Sequence, residues 1–132
     1  TIYNSPFTDY NNYYTVTINK SLIIASPLTL PSGDLEITNS IISFNGFDTS
    51  EGIYTRNATI SNSLISGNGA GTGLKINTSS SFSTIISTST LTNNSKGILL
   101  SGYNGTYSLN NNNLHNNLLC TQNITLSWTG YN

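Results

Sequence analysis

A chain of 132 residues has room for one domain. Charged residues make up 7% of it and the formal net charge is −1, against about 25% charged residues in ordinary soluble domains. That balance excludes the clustered Lys and Arg on which nucleic acids and anionic membranes depend. Lys20, Arg56, Lys75 and Lys96 are scattered. No apolar run approaches the ~20 residues of a membrane span, and residues 1 to 14 lack the layout of a signal peptide, so an exported form would be the mature one.

Taken in chain order, residues 1–14 are an aromatic-rich extension carrying Tyr3, Phe7, Tyr10, Tyr13 and Tyr14. Residues 15–132 read as one repeat domain. Its first unit is degenerate: Val16 and Ile18, then Ile23 five residues on, then Leu28 and Leu30 in alternation. Four clearer units follow the template aliphatic, any residue, Asn or Thr, two residues, aliphatic, two residues, Asn. They are Ile37, Asn39, Ile42, Asn45; Ile60, Asn62, Ile65, Asn68; Ile86, Thr88, Leu91, Asn94; and Leu109, Asn111, Leu114, Asn117. Their first members stand 23, 26 and 23 residues apart, a regularity hard to reach by chance and the mark of a solenoid.

A second repeat trails the first three of these units: Gly52-Ile53, Gly73-Leu74 and Gly97-Ile98. Each opens a short alternating strand whose inward pairs are Ile53 and Thr55, Leu74 and Ile76, Ile98 and Leu100. In the fourth unit Leu118 and Cys120 take that place, with Asn117 standing for the Gly and Cys120 inside beneath Leu100. As the chain's one cysteine, Cys120 allows no internal disulfide. Ile124, Leu126 and Trp128 begin a sixth unit or close the end, and Tyr131 follows.

The template describes a coil of three short strands per turn. An aliphatic residue two positions before the Asn faces inward, and the Asn turns the corner because it accepts left-handed backbone angles better than any residue but Gly. Stacked Asn residues can also bond to one another in a ladder. No 3.6-residue period is sustained, so helices are not expected. The expectation is an all-β, right-handed parallel β-helix of about five rungs.

The pattern Ile37-x-Asn39-x-x-Ile42-x-x-Asn45, with the later Gly52-Ile53, resembles the parallel β-helix repeat of the pectate-lyase-like superfamily, including NosD-type surface and periplasmic proteins. The resemblance spans roughly residues 15 to 126. It implies the fold; the superfamily holds lyases, hydrolases, tailspikes, adhesins and plain stalks, so it implies no single function.

The chemistry of catalysis is thin in this sequence. Lyase chemistry of that kind needs carboxylates on neighbouring rungs for Ca²⁺ and a base beside the uronate. Asp48 and Glu51 with Arg56 and Lys75 are the best candidates, and they read more readily as loop ion pairs. His115 has no acid near it in the repeat. No catalytic residue, metal ligand or cofactor is therefore assigned, and the chain is read as a non-enzyme.

Acceptor motifs for N-linked glycans occur at Asn19, Asn57, Asn77, Asn93, Asn104 and Asn123. Asn57, Asn77, Asn104 and Asn123 fall between the alternating strand of one rung and the first strand of the next. They would make either a ridge of sugar or simply a row of turn asparagines. Exposed β-helix ends need covering, and aromatic residues flank both: Tyr3, Phe7, Tyr10, Tyr13 and Tyr14 at one, Trp128 and Tyr131 at the other. They cap their own core or meet the opposite end of an identical chain. The expected function is a structural extracellular or cell-surface subunit, glycosylated and polymerising head-to-tail. A carbohydrate- or receptor-binding spike using Tyr54 and Tyr103 is the alternative, ahead of a polysaccharide lyase or hydrolase.

Overall fold

The computed structural model describes residues 1–3, 7–9, 13–43, 51–67, 71–77, 83–101, 106–117 and 119–122. Within them the chain is all strand, and every pairing is parallel. The strands stack in three columns. The first holds β1 (Ile2–Tyr3), β4 (Leu22–Ile24), β6 (Ile41–Ser43), β8 (Leu64–Ser66), β11 (Thr90–Thr92) and β14 (Asn113–His115). The second holds β2 (Phe7–Thr8), the front of β5 (Leu28–Thr38), the front of β7 (Ile53–Ser61), β9 (Thr72–Ile76), β12 (Lys96–Leu100) and β15 (Leu119–Gln122). The third holds β3 (Thr15–Asn19), the rear of β5, the rear of β7, β10 (Ser83–Ser87) and β13 (Thr106–Asn110).

The result is a parallel β-solenoid of about four turns. The expectation of about five rungs counts strands: five stand in the third column, and the path through Ile18, Ile37, Ile60, Ile86 and Leu109 makes four turns. The degenerate first unit is a true rung, since Ile18 pairs Ile37, Ile23 pairs Ile42, and Leu28 pairs Ile53. The inward rows are dry. Ile23, Ile37, Ile42, Ile53, Ile60, Ile65, Leu74, Ile76, Ile86 and Leu91 are fully buried, each removing apolar surface from water at roughly 25 cal/mol per Å².

Asn has two jobs at these corners, and they fall to different residues. At the first corner Lys20, Asn39, Asn62, Thr88 and Asn111 all have φ near +50°. This places the next residue's N–H along the axis, where Ser21, Ser40 and Ser63 donate to the side-chain oxygens of Ser40, Ser63 and Ser89, and Ser89 donates to Asn112 Oδ1. Each serine hydroxyl in turn donates to the carbonyl two residues back. At the second corner the left-handed residue is Ala25, Gly67, Asn93 or Asn116, which in the last three cases stands one before the repeated Asn and in the first one before Ser26. The repeated Asn makes the ladder: Asn94 N and Nδ2 both donate to Asn117 Oδ1 at 3.0 Å, and Asn117 Nδ2 donates to the Leu91 carbonyl. Gly73 leaves room for that arrangement, because a Cβ there would come within 2.8 Å of Asn94 Nδ2.

Thr88 is the misfit among the corner residues, a β-branched side chain held at φ 48°. Left-handed angles cost such a residue about 1–2 kcal/mol, and Asn much less. Thr88→Asn should therefore raise stability by about 1 kcal/mol, read as a higher urea midpoint. An unchanged or lower midpoint would show that the 2.6 Å bond from Thr88 Oγ1 to Asn62 Oδ1 outweighs the backbone strain.

The fourth unit corrects the sequence reading. Ile98 pairs Thr121 and Leu99 pairs Gln122, so Thr121 and not Leu118 continues the row of Ile53, Leu74 and Ile98. Cys120 falls at the register of Gly97 rather than beneath Leu100. The Asn94–Asn117 bond fixes this: Asn94 and Asn117 stand four residues before Ile98 and Thr121, which pair in register, and the ladder outweighs the apolarity of Leu118 and Cys120.

Candidate functional site

Two inward columns are buried in the middle and half exposed at their first described strand. In the first column Ile23, Ile42, Ile65 and Leu91 are fully buried, whereas Ile2, the member before Ile23, is 46% exposed. In the second, Leu28, Ile53, Leu74 and Ile98 are buried, whereas Phe7, the member before Leu28, is 43% exposed. At the opposite pole Leu109 and Leu114 are only partly buried against the core. A rung buries its inward side chains fully when neighbouring structure covers both of its sides.

The extension belongs to the solenoid. β1 pairs β4 and β2 pairs β5, and the Phe7 and Asp9 amides donate to the Pro27 and Thr29 carbonyls at 2.9 Å. Side chains hold its return. Tyr14 packs partly buried against the core, and its hydroxyl donates to Asp9 Oδ2 at 2.9 Å; burial first, and then the Asp9 carboxylate, push the phenol above the usual tyrosine range. Tyr13 is 79% exposed and lies beneath the Arg56 guanidinium, 5.2 Å from the ring centroid. Of the other aromatic candidates, Tyr10, Trp128 and Tyr131 lie outside the described residues, as does the side chain of Tyr3.

The charges form ties between rungs. Arg56 Nε and Nη2 donate to Asp34 Oδ1, one rung back, at 2.9 and 2.8 Å. Lys75 reaches Glu51 at 2.7 Å and sits 4.5 Å from the Tyr54 ring centroid. Such part-exposed pairs contribute about 0–1 kcal/mol each. Asp48 lies outside the described residues. Among those described, no three His, Cys, Asp or Glu side chains gather to hold a metal, and no helix is long and apolar enough to cross a membrane. His115 stands exposed on β14, its Nδ1 3.4 Å from Thr92 Oγ1.

Four of the six acceptor asparagines lie among the described residues. Asn19 ends β3 and Asn93 sits at a left-handed corner, both exposed. Asn77 follows β9 half-buried. Asn57 lies inside β7 rather than in a turn, because β5 and β7 run through that corner as continuous strands, and its Oδ1 accepts from Thr84 Oγ1 at 2.8 Å. Asn104 and Asn123 lie outside the described residues.

One open groove of about 560 Å³ runs beside the first corner, lined by Asn39, Ser40, Ile41, Asn62, Ser63, Leu64, Thr88 and Thr90. It places an apolar strip, with Ile41 46% exposed, next to a rim of amides and hydroxyls. No protein family matches this chain. Nor does any curated protein or solved structure.

The sequence reading did not find the serine ladder, although its signal was present: Ser21, Ser40, Ser63 and Ser89 each follow the left-handed residue directly. The Arg56–Asp34 tie was legible only once the rung length between the two residues was fixed.

Proposed function

We propose that this protein is a non-catalytic structural subunit on or outside a cell, that it lengthens by head-to-tail stacking of solenoids, and that its sequons carry N-linked glycans. The carrying observation is that Ile2 and Phe7, the outermost described members of two inward columns, are about half exposed, while Ile23, Ile42, Ile65 and Leu91 behind the one and Leu28, Ile53, Leu74 and Ile98 behind the other are buried. Burying them against a second stack removes apolar surface and pairs open strand edges in one step. The low charge of the chain puts little repulsion between copies.

The test is direct. Native material should show fibres by negative-stain microscopy and an intact mass above 14.2 kDa. Deleting residues 1 to 14 should abolish the fibres while leaving β-type circular dichroism. Compact monomers at high concentration, with the truncation altering stability alone, would identify the extension as an ordinary cap and end the filament reading.

The groove favours one second reading, a carbohydrate- or receptor-binding spike. Saccharides offer apolar C–H faces and hydroxyls together, which matches Ile41 and Leu64 set against Asn39, Asn62 and Thr88. Calorimetric titration with neutral oligosaccharides, comparing the intact chain with Ile41→Asp, separates this reading from the first.

A further inference from the structure

We infer that β1 and β2 form a receiving edge for β14 and β15 of a second copy, in one fixed register. Cα for Cα, Leu114 continues onto Ile2, His115 onto Tyr3, Thr121 onto Phe7 and Gln122 onto Thr8. The inference rests on the head-to-tail reading and specifies its contact.

The register follows from pairings within one copy. Ile2, Ile23, Ile42, Ile65, Leu91 and Leu114 form one unbroken row, and Tyr3, Ile24, Ser43, Ser66, Thr92 and His115 form the next. In the second column Phe7, Leu28, Ile53, Leu74, Ile98 and Thr121 form a row, and Thr8, Thr29, Tyr54, Lys75, Leu99 and Gln122 form its neighbour. Translating a copy so that its β14 and β15 meet β1 and β2 of the next extends all four rows without a slip.

A generic edge-seeking strand does not fit as the occupant. It could pair with β1 or with β2, but those edges belong to different faces of the coil, and the half-exposed Ile2 and Phe7 sit at the ends of the columns inside them. A partner must offer two parallel edges at the same angle, with apolar side chains enclosed between them. The opposite pole of this chain has that cross-section, because every rung shares it. A one-residue slip would turn each inward residue to the wrong face, so the register is strongly specified. In the third column the same translation leaves one strand position between β13 of one copy and β3 of the next.

Adjacent parallel strands stand about 4.8 Å apart, inside the 4.4–6.8 Å range of Cα separations that a disulfide spans. The full chain carrying Thr8→Cys and Gln122→Cys in a Cys120→Ser background should give a ladder of covalent oligomers on mild oxidation, read by non-reducing electrophoresis. The yield should be roughly tenfold above that of Thr8→Cys with Asn110→Cys, because Asn110 lies in another column beyond disulfide reach. Fibres without an excess of crosslinking over that control would overturn the register and leave head-to-tail stacking standing. Neither fibres nor ladder would overturn both.

Discussion

Replacing Ile60 by Asp is expected to unfold the whole chain. Ile60 is fully buried at the middle of the third column, paired with Ile37 on one side and Ile86 on the other. The surrounding cluster is aliphatic, with no basic group within it, so the carboxylate would be neither hydrated nor paired. The cost exceeds about 4 kcal/mol, comparable to the entire stability of a small domain. A break at the centre also divides the stack into two short pieces, each with a new open end, and solenoid stability depends on neighbouring rungs. The β-type circular dichroism should vanish at 25 °C. Ile60→Val, which removes one methylene without a charge, should cost about 1 kcal/mol. An Asp variant that melts at the native midpoint would place this residue in solvent and defeat the β-helix architecture.

Ser63→Ala should cost about 1–3 kcal/mol, far more than removing a hydroxyl from a surface serine. Ser63 Oγ accepts the Ser40 amide at 3.2 Å and donates to the Ser61 carbonyl at 2.7 Å. Ser40 is itself buried, so its amide would lose a partner that water in the neighbouring groove could replace only in part. Exposed Ser83→Ala provides the control, expected within about 0.5 kcal/mol of the parent. Chemical denaturation of the three proteins checks the ordering. If Ser63→Ala and Ser83→Ala unfold together, the ladder contributes nothing beyond the backbone pairs.

The two results bear on how much of this molecule its sequence announces. Ile37, Ile60, Ile86 and Leu109 are legible because an apolar residue must face inward once per turn, and so their spacing repeats. The corner asparagines are legible as corners but not as to function. Left-handed angles and amide ladders favour the same residue type, and only the backbone shows that Asn93 does the first and Asn94 the second. The fourth unit misled because Leu118 and Cys120 imitate the apolar alternation that Thr121 interrupts. A hydrogen-bonded Asn pair has a fixed position, whereas a hydrophobic preference is satisfied by any nearby inward site. Arg56 illustrates a further limit: its partner lies 22 residues away along the chain, and that contact is local only after the coil is closed.

The path from Ile18 to Ile23 takes five residues, and so does that from Ile37 to Ile42, Ile60 to Ile65, Ile86 to Leu91 and Leu109 to Leu114. The whole rung, by contrast, takes 19, 21, 23 or 26 residues along the first column. All the variation falls elsewhere on the circumference, where β5 and β7 pass straight through one corner and other rungs take longer routes. One side of the coil thus works as a ruler, and the rest can give out extra chain without disturbing it. A peptide inserted between β9 (Thr72–Ile76) and β10 (Ser83–Ser87) would be carried on a scaffold already fixed by the Ser63–Ser89 and Asn94–Asn117 bonds. The molecule can in this way acquire a new exterior, by drift or by engineering, one rung at a time.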